Sequence, residues 1–236
     1  MVEIAFAGPM GAGKTTVADL LVAQERYTRL SFAEPLRYLT TTLIGRKIDK
    51  KLDRGTLQRV GGAARSKDWH GIDTPLETSR QERVQRLATH IFPDAQQAQI
   101  DALYQALYGE GYSYGWGDEG YWIRRWRRDY LRAPKPVTVD DCRFPIEGVT
   151  LQRMGFFMVR LDVPLEERKR RIISRDGAWD DAWSQDATEA LVDGIPFDLA
   201  VDGTAAPEEI ARQVLAAARE WKAARRKKRE PVFAVN

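Results

Sequence analysis

Residues 1–21 read MVEIAFAGPMGAGKTTVADLL, and the order of residue types in this stretch decides the fold. Val2 to Ala7, Glu3 apart, is a short apolar run of the kind a buried parallel strand requires. Gly8 to Thr15 then match G-x-x-x-x-G-K-[ST], a phosphate-binding pattern. Behind them Val17, Leu20, Leu21 and Gln24 set out one helix, with Val17, Leu20 and Leu21 as its apolar face. Gly8, Gly11 and Gly13 allow backbone N–H groups to wrap around anionic oxygens, and the helix N-terminus adds its partial positive charge. The expected donor-phosphate loop therefore comprises Gly8, Gly11, Ala12, Gly13, Lys14, Thr15 and Thr16. Lys14 is expected against the β- and γ-phosphates as an exposed charge facing ligand, and the Thr15 hydroxyl is expected to reach Mg²⁺. The pattern implies a nucleoside triphosphate as ligand.

Working outward, 236 residues suit one α/β domain with a sizeable insertion and would cramp two independent domains. With 43% of the residues apolar or aromatic, a substantial core is available. No stretch approaches eighteen consecutive apolar residues, so no membrane span is expected. No basic leader precedes the first apolar run, which argues against a signal peptide. Cys142 is the single cysteine; it excludes an internal disulfide framework and fits a reducing cytoplasm. With two isolated histidines, it leaves no zinc-ligand cluster. The net charge of +3 is unevenly placed. Lys222 to Glu230 (KAARRKKRE) holds six basic residues and one acid, leaving about −2 for the remainder. Residues 222–236 thus form a basic tail. No aromatic residue interleaves the run, so it reads as a solvated helix end or frayed terminus rather than as a nucleic-acid platform.

Extended apolar candidates fall at 2–7, 28–33, 136–141, 156–163 and 197–202. Their alternation with helical patterns predicts a doubly wound, parallel five-stranded α/β sheet. Its core spans 1–34 and 133–221. Residues 35–132 break the alternation. Strand signals are missing there, and amphipathic patterns run over Pro35–Ile44, Thr56–Ala64, Thr78–Ile91, Ala95–Tyr108 and Tyr121–Leu131. This helical insertion is expected to wall a second site at the C-terminal ends of the strands, where ligands bind in open α/β sheets. Residues 109–120, rich in glycine and aromatics, read as a flexible loop. Trp122, Trp126 and Tyr130 lie at i, i+4 and i+8, which predicts a buried aromatic stripe with the neighbouring arginines left in water.

The third strand reads PVTVDDCRFPIE over 136–147. An acid at a strand's end is how such proteins place a carboxylate beside the metal. Strict alternation puts Val137, Val139 and Asp141 on one face and Thr138, Asp140 and Cys142 on the other, and either aspartate suits the role. Arg143 follows and suits a bidentate contact to phosphate. Cys142 reads as a small buried filler. The second strand ends in SFAEPLRYL, where Arg37 either holds an acceptor phosphate or makes a surface salt bridge. After the fourth strand, LDVPLEERKRRIISRDGAWDD (161–181) puts Arg168, Arg171 and Arg175 on roughly one helical face. Such arginines can neutralise charge on a transferring phosphoryl group, and residues 168–188 are expected to act as a lid that excludes water.

GPMGAGKTT, SFAEPLR, LQRVGGAAR, the W-x3-W pair at Trp122 and Trp126, DDCRFPIE and LDVPLEERKRRIISR together resemble the deoxynucleoside monophosphate kinases of bacteriophages, P-loop kinases related to adenylate and thymidylate kinases. The resemblance runs over about residues 1–215, and the D-x-R-F-x-x-E element (Asp141, Arg143, Phe144, Glu147) is its most specific part. It implies transfer of the ATP γ-phosphoryl group to a deoxynucleoside 5′-monophosphate with Mg²⁺, in a host cytoplasm. It further implies that Lys14, Thr15 and Asp141 hold the donor phosphates and metal, with Lys14, Asp141, Arg143, Arg171 and Arg175 catalytic. Arg171 and Arg175 would also bind ATP. Arg37, Arg65 and Arg143 would hold the acceptor phosphate, Gln58 and Trp69 would line its base pocket, and Phe144 and Glu147 would complete the acceptor site. A homodimer is compatible with this reading. Two positions depart from the family pattern: Ile146 replaces a usual asparagine, and Asp202 stands where asparagine is frequent. The stretch 177–186 has no arginine. Rival readings are a P-loop kinase of another small phosphorylated acceptor and a nucleotide-dependent nucleic-acid-binding protein.

Overall fold

The computed structural model of the chain describes residues 1–49, 52–66, 80–108, 120–181 and 190–229. Trp69, the glycine-rich 109–119 segment, residues 182–188 of the expected lid and residues 230–236 of the tail lie outside these. In chain order the elements are β1 (Ile4–Ala7), α1 (Lys14–Glu25), β2 (Thr28–Leu30), α2 (Ala33–Ile44), α3 (Arg54–Arg65), α4 (Arg80–Ile91), α5 (Gln97–Tyr108), α6 (Tyr121–Arg132), β3 (Val137–Cys142), α7 (Pro145–Arg153), β4 (Phe157–Asp162), α8 (Leu165–Asp176), β5 (Leu199–Asp202) and α9 (Pro207–Arg229). No helix among the described residues is long and apolar enough to cross a membrane.

The five strands form one parallel sheet in the order β2-β3-β1-β4-β5, with helices on both sides. β1 is central because all four of its residues are apolar and none is exposed. It pairs with β3 through Ile4–Thr138 and Ala5–Val139, and with β4 through Ile4–Phe157 and Phe6–Val159. A strand covered on both faces has no use for the polar alternation of a half-exposed one. Ile4, Phe6, Val159, Leu161 and Val201 meet Val17 and Leu21 of α1 and Ile210 and Val214 of α9 in one core. β2 is shorter than the 28–33 run predicts. Phe32 already has helical backbone angles and caps α2, so the chain leaves the sheet after Leu30.

The chain divides into two compact units, one of residues 1–31 with 130–236 and the other of residues 32–129. The second is helical and has its own core. Leu39, Val60, Val84, Leu87, Ile91, Leu103 and Trp122 pack together there, Trp122 Nε1 donates to the Gly61 carbonyl at 3.2 Å, and the Trp126 ring lies 4.8 Å from that of Phe32. α6 thus buries Trp122 and Trp126, as their spacing predicts, and exposes Arg124, Arg127 and Arg128. Tyr130, at the end of the stripe, is half-buried, and its hydroxyl donates to Glu3 at 2.6 Å.

Candidate active site

The glycine loop lies between the end of β1 and the start of α1. Gly8 has φ 141° and Gly11 φ 82°, both in the left-handed half of the map. A Cβ on Gly8 would come within 2.9 Å of the Leu161 carbonyl, and one on Gly11 within 3.1 Å of the Arg168 Cβ. The loop needs glycine here for conformation and for room, since β4 and α8 press against it. Ala12 is buried and donates its N–H to the Pro9 carbonyl at 3.3 Å. Gly13 caps α1 with no side-chain hydrogen bond, and the N-terminus of a helix is suited to binding an anion. Thr15 and Thr16 open the helix and are exposed.

Lys14 departs from expectation. It is only 6% exposed, where an exposed charge was expected. Its Nζ donates to the carbonyls of Gly8 at 2.5 Å and Pro9 at 2.8 Å. The reason is geometric: an ammonium folded back over a tight loop meets the loop's own carbonyls, and a buried charge needs such bonds.

A second correction concerns the strand-end acid. The Thr15 hydroxyl donates to Asp140 Oδ2 at 2.8 Å, while Asp141 accepts from the Ser31 hydroxyl in the loop after β2. The carboxylate beside the loop threonine is therefore Asp140, and Asp141, named for the metal by resemblance, faces another partner. The two aspartates take different partners, as alternation along the strand expects, and the β1–β3 register slips beside them. Ala5 pairs with Val139 but Ala7 with Cys142, so three residues of β3 span two of β1. Such a bulge re-aims the side chains on its strand. Asp140 is 7% exposed. Burial raises its pKa, and Asp141 beside it raises it further, against the opposing bond from Thr15 and the more distant Arg29. Its Oδ1 is buried with no hydrogen-bond partner among the described residues. A hard divalent cation takes oxygen ligands, and the Thr15 hydroxyl beside a buried carboxylate with an unpaired oxygen fits a Mg²⁺ site. Cys142 is fully buried, and burial raises its thiol pKa well above the ordinary value. It is the inert filler its surroundings predict.

α8 brings two of its arginines to the loop. Arg168 Nη1 donates to the Met10 carbonyl at 3.3 Å. Arg171 donates from Nη2 to the Gly203 carbonyl at 2.9 Å and from Nε to Glu167 at 2.7 Å, and its Nη1 stands 3.5 Å from where a Cβ on Gly13 would lie. Arg175 is not brought there. It is 63% exposed and paired with Asp176, about 6 Å further along the axis than Arg171.

The residues expected at the acceptor divide between the units. In the sheet unit, Arg143 and Phe144 follow β3, and Glu147 is buried. The Glu147 carboxylate accepts the N–H groups of Arg143 at 2.9 Å and Phe144 at 3.1 Å, so it organises the start of α7 instead of facing ligand. Pro145 at the first helical position supports the same turn. The Arg143 guanidinium is half-buried and has no ion-pair partner among the described residues. In the helical unit, Arg37 pairs with Glu34 at 3.2 Å, Gln58 is exposed on α3, and Arg65 donates to the Gly61 carbonyl at 3.3 Å. Ile146 is exposed. Asp202 closes the turn after β5 by accepting the N–H and hydroxyl of Thr204, and these bonds lower its pKa. Sequence reasoning does not single out Ser31, Glu167 or Gly203. Only Glu167 carries a readable signal, its i, i+4 spacing to Arg171 on a helix.

No family model matches the chain. A protein of Acanthamoeba polyphaga mimivirus that carries the provisional name deoxynucleotide monophosphate kinase is 25% identical over 171 residues, covering 70% of this chain and 75% of that one. The crystal structure of a gluconokinase from Sinorhizobium meliloti 1021 is similar with a TM-score of 0.50 at 12% identity, covering 97% of this chain and 98% of that one. Identity that low speaks for the fold alone. The parallel sheet in 2-3-1-4-5 order, the glycine loop after its central strand and the likeness to that structure agree, and the chain has the fold of the P-loop kinases.

Proposed function

We propose that this chain transfers the γ-phosphoryl group of ATP to a deoxynucleoside 5′-monophosphate, giving the diphosphate, in a Mg²⁺-dependent reaction. The observation that carries the reading is the Thr15–Asp140 contact at 2.8 Å at the mouth of a glycine loop, with Arg171 above it. The name of the mimivirus relative supports the acceptor class. Mg²⁺, when bound, neutralises charge on the donor's phosphate oxygens.

Each residue of this chain then has a task. Loop N–H groups from Gly8 to Thr15 and the N-terminus of α1 bind the donor's anionic oxygens. Lys14 exchanges its loop carbonyls for the β- and γ-phosphates, a stronger charge-assisted partner. Thr15 and Asp140 would hold the metal. Arg171 faces the charge that develops during transfer. An acceptor phosphate oxygen attacks the γ-phosphorus as the bond to the bridging oxygen of ADP breaks. That oxygen is already anionic at neutral pH, so the attack needs no general base, and none need be sought among the aspartates. Arg143 of the sheet unit binds the acceptor phosphate, and Glu147 acts by fixing the backbone that carries it; the resemblance assigns acceptor contacts in the helical unit to Arg37, Arg65, Gln58 and Trp69.

A screen of four deoxy- and four ribonucleoside monophosphates with Mg²⁺–ATP, reading diphosphate formation by chromatography, tests the proposal. At least one deoxynucleotide should be converted, and conversion should stop with Asp140→Asn. A protein that binds ATP and converts none of the eight would overturn the acceptor class.

A further inference from the structure

We propose that Glu167 is a positioning residue that holds Arg171 over the phosphate loop before nucleotide arrives. The inference rests on the reading above that this loop binds ATP. Arg171 is fixed through two of its three guanidinium nitrogens: Nε donates to Glu167 Oε1 at 2.7 Å, and Nη2 to the Gly203 carbonyl at 2.9 Å. A guanidinium is planar and rigid, so fixing two nitrogens fixes the third. That third nitrogen, Nη1, is the one 3.5 Å from the Cβ position of Gly13, at the cap of α1.

An i, i+4 ion pair on a helix is ordinarily a minor surface feature. Three observations set this one apart. The side chains are 28% and 23% exposed, so neither is fully solvated. Arg171 is tied to a second element, the turn after β5, as well as to its own helix. The carboxylate is also gripped by Arg170, whose Nε and Nη2 each donate to it at 2.7 Å. These bonds lower the Glu167 pKa to about 2, so the anchor stays charged wherever the protein is folded and active. A long, flexible side chain loses rotamer freedom when it meets a ligand; one already held in place has lost it beforehand, and the ligand binds more tightly for it.

The test is ATP binding by titration calorimetry without acceptor, on wild type and the variants E167Q, E167D, R171A, R170A and E167Q/R171A, each checked by thermal melting. E167Q keeps the shape and loses the charge. It should weaken ATP about tenfold, approaching R171A, and E167D should recover part of the loss. The double variant should bind no more weakly than R171A alone, because Glu167 acts only through Arg171. R170A, which removes one anchor of the same carboxylate but leaves its contact with Arg171, should weaken ATP binding less than E167Q does. In steady state the KM for ATP should rise and that for the acceptor should not. Wild-type affinity in E167Q, full additivity in the double variant, or an R170A loss equal to that of E167Q would each overturn the proposal. A wild-type protein that does not bind ATP would remove the parent reading with it; binding by wild type and E167Q alike removes this inference only.

Discussion

Asp140 is an ionisable group kept away from water, and its raised pKa has a consequence for stability as well as for metal binding. Where the folded-state pKa lies above the unfolded value, the native state binds more protons. Stability is then complete below the unfolded pKa and is lost as the pH rises through the folded one. Asp140→Asn removes that loss. It should raise Tm at neutral pH, an advantage that fades below the ordinary aspartate range, while lowering transfer at least about a hundredfold. Asp141→Asn, whose partner is Ser31, should leave kcat within a few-fold. Thermal melts across pH beside Mg²⁺-dependent rates check both, and equal losses in the two variants would return Asp141 to the metal shell. Lys14→Ala should cost about 3 kcal/mol or more of transition-state stabilisation with the fold retained, since its bonds lie within the loop itself. Rates within tenfold of wild type would sink the assignment. At this scale the sequence is legible in kind and not in detail. The motif names Lys14 and Thr15, but alternation leaves both Asp140 and Asp141 open, the register slip beside them leaves no trace in residue types, and the resemblance points to the neighbouring acid. Glu147 shows the same limit: a carboxylate in a motif reads as ligand-binding, whereas here two backbone N–H groups occupy it.

α8 shows what an element adds to its residues. Arg168, Arg171 and Arg175 share a face on a helical wheel, but a wheel projects away the axis. Arg168 and Arg171 stand beside the loop, and Arg175 reaches Asp176 at the helix's end. The helix bears so closely on the loop that Gly11 has no room for a Cβ between Arg168 and Ile172. Arg171→Ala should therefore weaken ATP binding and lower kcat about tenfold or more, whereas Arg175→Ala should change neither by more than about threefold. Comparable losses would mean that α8 moves on nucleotide binding and brings Arg175 inward. The charge network at its start also has a pH signature. The Glu167 pKa is depressed to about 2, so the stability its ion pairs contribute is present above the ordinary glutamate range and is lost as the pH falls through that range toward about 2. Melting of E167Q and wild type should converge at the acid end of that window. Helix existence and face are legible from spacing; the distance of each turn from the loop is set by how β4 and the sheet carry α8, which periodicity does not encode.

For the whole molecule, the sheet and the helical insertion are the features most legible in the sequence. Strand-like apolar runs, and their absence between 35 and 132, reflect burial directly, whereas the order β2-β3-β1-β4-β5 is read from the structure alone. The basic tail is a different case, because charge alone does not say whether a segment belongs to the body. The structure carries α9 through to Arg229 without a break at Trp221, which ties the helix to the sheet. Trp221 Nε1 donates to Asp198 at 3.1 Å, the ring lies 5.5 Å from that of Phe157, and Asp198 in turn accepts the Met158 N–H of β4 at 2.9 Å. Beyond it, Lys222, Arg225, Arg226 and Lys227 are exposed; Lys222 donates to the Met1 carbonyl at 3.1 Å, and the Arg225 guanidinium lies 4.5 Å from the centre of the Trp221 ring. Truncation after Trp221 removes a +5 segment, and the body that remains has a charge of about −2. The truncated protein should keep its Tm within a few degrees, since residues 222–227 of the helix are exposed, and should keep its full rate. Any retention on single-stranded DNA at low salt should vanish, because binding driven by counterion release needs the cations that were removed. Filter retention at two salt concentrations, beside the nucleotide assay, reads both outcomes. A truncated protein that melts like the parent and transfers nothing would place the tail in the active site; one that still holds DNA would place the nucleic-acid contact on the body, with the exposed arginines of α6 the first to change.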